Sequence, residues 1–191
     1  MPFSYLPALD AGALRQGEIL GELWTHRALT VGHTDAPEIR SFRHALAVVL
    51  TADCDLLQDF NVRFAEQEQP ADPVPKDQNE DHPAIVPFTI LCELFMDQQV
   101  RGRGGLNRDL WRRVVQNQDE RYHAVPMPGT PDGGDQTRAI LDFKKALAVP
   151  TEAIYSGILA REVRRVALIP PVYIHDLIHR FYGFLSRVGV D

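Results

Sequence analysis

The sequence is poor in cysteine and contains no long apolar segment. Cys54 and Cys92 are the only two cysteines in 191 residues, and they lack the spacing of a metal site. Each is expected near the end of a strand, so a disulfide between them is one alternative. Reduced thiols are the favoured alternative for a cytosolic chain. No apolar run approaches the roughly 18 residues that a transmembrane helix requires. The sequence therefore predicts a cytoplasmic protein with no membrane partner.

Positive charge is also scarce. The chain has 20 lysines and arginines against 26 acidic residues, which gives a formal net charge of −6. This argues against a wholly basic nucleic-acid coat but leaves room for a local basic patch. No internal repeat is present, and the length favours one domain. A chain of this size can bury roughly 70% of its unfolded surface, so folding requires neither a metal nor a disulfide.

The dominant pattern in the sequence is a continuous apolar run. Ala45–Leu50 contains six apolar residues in succession, which is typical of a buried strand. We predict a central strand over residues 39–50, preceded by a loop or ragged hairpin over residues 25–38. Further strands are predicted at 17–24, 84–91, 121–127, 137–143 and 163–169.

Composition separates four other segments from these strands. Residues 1–15 are predicted to form an N-terminal arm, and residues 66–83 an acidic, proline-rich, solvated loop. Residues 101–118 form a basic insertion that includes a short helix. Two prolines end the last strand and open a C-terminal helix over residues 171–188. The sequence thus predicts one α+β domain over residues 1–191, mainly β, a small barrel or curled sheet of about six strands.

Three stretches resemble the PemK/MazF-like toxins of bacteria, which have an SH3-type barrel. They are QGEIL at 16–20, RHALAVVLTADCDL at 43–56 and AIVPFTIL at 84–91, although His44 stands where the toxin pattern has proline. The strand end TADCDL and the C-terminal FLSRVG are also similar to a group of uncharacterised bacterial proteins. The resemblance implies an SH3-like small barrel with a C-terminal helix and an inserted basic helix.

The resemblance to the toxins implies metal-independent cleavage of RNA. The arginine before the central strand and the threonine of the P-x-T strand form the toxin site, and they correspond to Arg43 and Thr89. A guanidinium suits the phosphate oxygens of the transition state. The alternative interpretation makes Arg43 a surface residue and Thr89 a strand former.

A second candidate site is the cluster Asp53, Cys54 and Asp55 at the end of the central strand. Cys54 is a candidate nucleophile if His123 or His44 lies beside it. The two flanking carboxylates would raise the pKa of the thiol, however, which opposes activation. The carboxylates are also candidate ligands for Mg²⁺ or Mn²⁺. The remaining interpretation is structural, with Cys54 in the core and Asp55 capping a turn.

Two further features concern metals and nucleic acid. His175 and His179 are four residues apart on the C-terminal helix, a spacing found both in zinc sites and on plain solvent-facing helix surfaces. The basic insertion combines arginines with an aromatic residue and glycines, which suits phosphate contact and base stacking. The alternative is a helix face that pairs with the protein's own acidic loop. The candidate nucleic-acid-binding residues are Arg101, Arg103, Arg108, Trp111, Arg112 and Arg113.

The function expected first is a nucleic-acid-handling protein of a bacterial toxin–antitoxin or antiviral defence locus, with metal-independent endoribonuclease activity as its enzymatic form. The alternative is a non-catalytic adaptor or immunity-type module that binds a protein partner encoded in the same operon. A third possible function is a hydrolase that uses the Cys54 thiol. The expected partners are RNA or single-stranded nucleic acid and that protein; a homodimer stays open. No cofactor and no metal are predicted.

Overall fold

The protein is built around one open antiparallel sheet. The computed structural model describes residues 6–7, 11–29, 38–64, 82–102, 105–126 and 138–187. Every adjacent strand pair is antiparallel, and the strand order is β1-β7-β2-β3-β4-β6-β5. The strands are β1 Leu6–Pro7, β2 Glu18–Leu29, β3 Glu38–Val49, β4 Phe88–Met96, β5 Tyr122–Pro126, β6 Arg138–Pro150 and β7 Arg164–Leu168. The helices are α1 Asp53–Phe64, α2 Asp97–Gly102, α3 Arg108–Val115, α4 Thr151–Leu159 and α5 Pro171–Leu185.

The second half of β3 is the centre of the sheet. Ala47, Val48 and Val49 are all fully buried, which confirms the buried central strand expected from the apolar run. Because successive side chains of a strand point to opposite faces, Val48 contributes to one core cluster and its two neighbours to another. An unbroken apolar run therefore fits a strand that is covered on both faces.

Helices cover both faces of the sheet. Leu177 and Phe181 of α5 pack with Val48 on one face, in the largest core cluster. Residues of α1 and α4, such as Leu56 and Ile154, pack on the other face. A smaller cluster joins α2 and α3 to the ends of β4 and β6 through the side chains of Phe95, Val100, Val114 and Ile140. The result is a three-layer arrangement with a core on each side of the sheet.

Helix α1 was not expected from the sequence as a full helix. Its first turn carries Asp53 and Asp55, which the positive end of the helix dipole stabilises. Further along, the buried carboxylate of Asp59 accepts hydrogen bonds from Arg63 Nε at 2.8 Å and from the backbone N–H of Val86 at 2.8 Å. This pair fixes the chain just before β4 against the helix. The predicted turn in this region is therefore a helix of twelve residues.

The mixed α+β class, with mostly strands, is confirmed, whereas the barrel is not. The edge strands β1 and β5 each pair with only one neighbour among the described residues, so the sheet is not closed. The C-terminal helix is present over Pro171–Leu185, and the basic insertion contains α3 and the last two residues of α2. Of the segment 25–38 predicted as a loop or ragged hairpin, residues 25–29 belong to β2 and Glu38 begins β3, while residues 30–37 lie outside the described residues. Most of the predicted acidic loop, residues 66–81, lies outside the described residues.

Candidate functional site

The predicted catalytic pair is not brought together. Arg43 lies on an exposed part of β3, where its Nε donates to Glu22 at 2.6 Å. Thr89 is fully buried in β4, and its hydroxyl bonds the hydroxyl of Thr151 at 2.9 Å. The β3–β4 register places Thr89 level with Thr51, eight positions from Arg43, which is about 26 Å along the strand. The two side chains therefore cannot act on one phosphate in this arrangement.

The cluster at the end of β3 forms the first turn of α1. Asp53 accepts hydrogen bonds from the backbone of Gln16 and from Arg15, so it holds the segment before β2. Cys54 is exposed, and its thiol donates a long 3.4 Å bond to Asp55. The structure leaves both cysteines unpaired, as the sequence favoured.

Neither candidate histidine is recorded in contact with the Cys54 thiol. His44 is buried, with its Nε2 2.9 Å from Thr25 Oγ1 and its Nδ1 3.6 Å from Glu93 Oε1. His123 is buried in β5 beneath α5 and stacks with Phe143. The geometry therefore gives Cys54 a carboxylate neighbour, and neither of the two candidate histidines acts as its general base.

No metal centre forms in the described ranges. Within them, no group of three His, Cys, Asp or Glu side chains is arranged to hold an ion. His175 and His179 are both exposed on α5, and neither is recorded with a third ligand. Their spacing is that of a solvent-facing helix surface.

The basic helix α3 is firmly attached to the sheet. Asn107 caps its N-terminus through a 2.8 Å bond to the N–H of Leu110, and the buried Val114 anchors its inner face. Trp111 is half-buried against the same cluster, and the Arg101 guanidinium lies 5.2 Å from its ring centroid. The outer face of the helix presents Arg108, Arg112 and Arg113, with Arg112 3.6 Å from Asp109 and Arg113 bonded to the Gln118 carbonyl. Arg103 lies outside the described residues.

The surface feature that the sequence did not indicate is an apolar groove, with a volume of about 390 Å³. It runs between the C-terminal half of α5 and the ends of β3, β4 and β6. Its lining residues are Leu50, Thr51, Ala52, Asp55, Phe88, Ile90, Ala146, Leu147, Ala148, Phe181, Tyr182 and Leu185. The size falls in the range of ordinary ligand-binding sites.

Large apolar side chains line this groove and remain exposed. Phe88 is 54% exposed and Tyr182 58%, and Ile90 and Leu185 are also exposed. One polar rim is formed by the first turn of α1, where the Asp55 carboxylate lies. A cluster of exposed apolar groups with a carboxylate at its edge is typical of an interaction site.

The groove escaped prediction because residues from several separate elements form it. The one local indication is that Phe88, Ile90 and Leu91 are all apolar, although β4 exposes the first two and buries the third. A sequence pattern of this kind reads as a strand that is buried on both faces.

Several ionisable groups are buried away from the groove. Burial raises the pKa of the Cys92 thiol, which makes it inert. Burial, with a smaller effect of Arg180, lowers the pKa of His123 to about 4. Glu18 and Arg165 form a buried ion pair, and Arg165 also donates to the carbonyls of Gly12 and Ala13. These groups hold elements together and offer a substrate no access.

The chain gives no match in comparisons with family models, curated proteins and solved structures. In the part of the chain that is described, no helix is both long and apolar enough to cross a membrane.

Proposed function

We propose that this protein is a non-catalytic binding module that holds a segment of a protein partner in the groove beside α5. The observation that carries the proposal is the set of exposed apolar side chains around the groove, namely Phe88, Ile90, Tyr182 and Leu185. Exposing such a cluster to water costs free energy that a partner regains by covering it. This is the adaptor or immunity-type function expected from the sequence, with a partner encoded in the same locus.

The groove indicates the chemistry of the segment that it binds. Its floor and walls suit one or two bulky apolar side chains, because most of its lining is apolar. Asp55 at the rim is exposed and lies next to the Asp53 that binds Arg15. An additional cation beside Asp55 would gain a charge-assisted hydrogen bond. We therefore expect a partner segment with an aromatic or large aliphatic residue close to a lysine or arginine.

A displayed library of random peptides tests this proposal. Selection on the wild-type protein should enrich peptides that combine a bulky apolar residue with a nearby lysine or arginine. Selection on Asp55→Lys should replace the basic residue by an acidic one, because the rim charge is reversed. Asp109→Lys, which reverses an exposed carboxylate on α3, is the matched control and should leave the wild-type preference unchanged. Enrichment with no apolar residue, or no change in Asp55→Lys, would contradict the proposal.

A second candidate function is binding of RNA or single-stranded DNA through α3. The observation that favours it is the outward-facing row of Arg108, Arg112 and Arg113 on a helix that is rigidly attached to the sheet. If these residues contact phosphates, each lost contact should reduce the log–log salt slope of binding by about 0.7. Arg112→Ala with Arg113→Ala therefore tests this function by fluorescence anisotropy. No retention of RNA by the wild type at low salt would exclude it.

Ribonuclease activity is a weaker form of this second candidate, because Arg43 and Thr89 lie far apart. The likeness to the SH3-type toxins is carried by short sequence motifs, and a toxin–antitoxin or defence locus remains a proposal. Incubation of the protein with single-stranded RNA and EDTA measures the activity directly. Cleavage that Arg43→Ala abolishes would restore the enzymatic interpretation.

A further inference from the structure

Strands β2 and β3 extend well beyond their neighbours. The pairing of β2 with β7 ends at Gly21, and the pairing of β3 with β4 begins at Ala47. From Leu23 to Leu29 and from Glu38 to His44, the two strands pair, among the described residues, only with each other. We call these residues the β2–β3 ribbon. A two-stranded ribbon by itself is only marginally stable in water, so one of this length is expected to be covered by something.

One face of the ribbon combines an aromatic ring with cations. By strand alternation, Thr25, Arg27, Arg40 and Phe42 share a face. The Arg27 guanidinium lies 5.4 Å from the centroid of the exposed Phe42 ring, and Arg40 makes a paired contact with Glu38. Arg27 lies directly opposite Arg40, and like charges in that position repel each other. An anionic group placed against this face would relieve the repulsion.

The base of the ribbon is fixed to the body of the protein. Glu22 forms ion pairs with both Arg43 and Arg164, which connects β2, β3 and β7. The His44 ring then bonds the hydroxyl of Thr25 across the two strands at 2.9 Å. A ribbon that is held at its base in this way loses little conformational freedom when it docks.

We propose that this face of the ribbon docks into the groove of a second copy of the chain, so that the protein associates head to tail. The inference rests on the proposed function of the groove, since Phe42 beside Arg27 has the composition expected of a bound segment. Charge supports a second copy as the occupant. The docking face of the ribbon carries Arg27 and Arg40 against Glu38, while the whole chain has a net charge of −6. The acidic body of another copy therefore attracts it.

The two contacting surfaces are different parts of the molecule, so the association is heterologous. An open chain of copies has one free ribbon at one end and one free groove at the other end, and it can therefore grow until a ring closes. In a two-fold dimer, the same surface of both copies forms the contact. A single substitution in that surface then changes both halves of the contact at once. This difference gives the proposal a specific test.

The experiment uses sedimentation equilibrium of the full chain with one disrupted surface at a time. Phe42→Asp disrupts the ribbon and Ile90→Asp disrupts the groove. Wild type should show an average mass that rises with concentration above 21.5 kDa, and each single variant should remain at the protomer mass. An equimolar mixture of the two variants should form a 1:1 species of about twice that mass. The intact ribbon of one variant then fills the intact groove of the other, and the remaining ends cannot associate.

Two further variants secure the interpretation. Leu159→Asp changes a strongly exposed apolar residue on α4, outside both surfaces, and should associate as wild type does. Asp55→Lys should prevent association, and adding Arg27→Glu and Arg40→Glu to the same chain should restore it. If Phe42→Asp or Ile90→Asp shows no cooperative thermal transition, this charge exchange replaces the mixing experiment as the test.

The outcomes separate this inference from the proposed function. A wild type that stays monomeric while its groove selects apolar, basic peptides overturns self-association and leaves the binding module intact, with a different protein as the occupant. A mixture of Phe42→Asp and Ile90→Asp that remains monomeric also overturns it. Failure of both the peptide selection and the self-association contradicts both proposals. A selected peptide that dissociates wild-type oligomers supports both.

Discussion

His123 makes the stability of the fold sensitive to mild acid. Its ring is buried beneath α5, and burial together with nearby Arg180 lowers its pKa to about 4 from an ordinary 6.5, while Asp176 has the opposite, smaller effect. The unfolded chain therefore binds a proton in a range where the folded chain does not. Stability should fall as the pH falls from 6.5 towards 4. Between pH 7 and pH 5 the loss amounts to about 2 kcal/mol.

Urea denaturation at pH 7, 6 and 5, followed by circular dichroism, measures this loss. His123→Leu replaces the ring by a group that does not titrate, so its free energy of unfolding should change about 2 kcal/mol less over this range than that of wild type. His179→Leu, at an exposed position on the same α5, is the matched control and should keep the wild-type dependence. Equal pH dependence in wild type and His123→Leu would refute the reasoning.

Other predictions concern the core and the thiols. Val48 is fully buried at the centre of the sheet, so Val48→Asp should abolish soluble expression; an unpaired buried charge costs several kcal/mol against a net stability of roughly 5–15 kcal/mol. A soluble variant with a cooperative urea transition would contradict the central position of β3. Cys54 should react with a thiol reagent in the native protein, and Cys92 only after unfolding, because burial raises its pKa. Titration of two thiols without denaturant would show that the core around Cys92 opens.

The sequence predicted the parts of the fold whose patterns are local. The uninterrupted apolar run Ala45–Leu50 predicts a strand that is covered on both faces. Pro170 and Pro171 mark the start of α5. Helix α1 was missed although Leu56, Phe60 and Phe64 follow the four-residue spacing of its buried side. The adjacent carboxylates Asp53 and Asp55 were interpreted as the end of a strand, whereas they lie in the first turn of a helix.

The open sheet and the ribbon were not accessible from the sequence. Closure into a barrel depends on which strands lie at the edges, and in the described part of the chain β5 pairs only with β6, a long-range contact that no local pattern indicates. Residues 25–29 of the ribbon were interpreted as part of a loop or ragged hairpin, because a largely exposed strand has no apolar alternation to reveal it, whereas residues 39–44 were correctly predicted as strand. The candidate site was missed because it is also a long-range feature. The groove combines residues from β3, α1, β4, β6 and α5.

The distribution of reactive groups also favours binding over catalysis. The buried groups with shifted pKa values include His123, Cys92 and Tyr155, which face the core and not the groove. The exposed thiol of Cys54 lies beside Asp55 and donates a long 3.4 Å hydrogen bond to its carboxylate. Catalysis requires both perturbation and access in one group. Among the described residues, Arg121 has a raised pKa and is partly exposed, but its guanidinium is held by the carboxylate of Asp142. The groove needs no group of this kind, because an apolar surface with one charge at its rim binds a segment without activating any of its atoms.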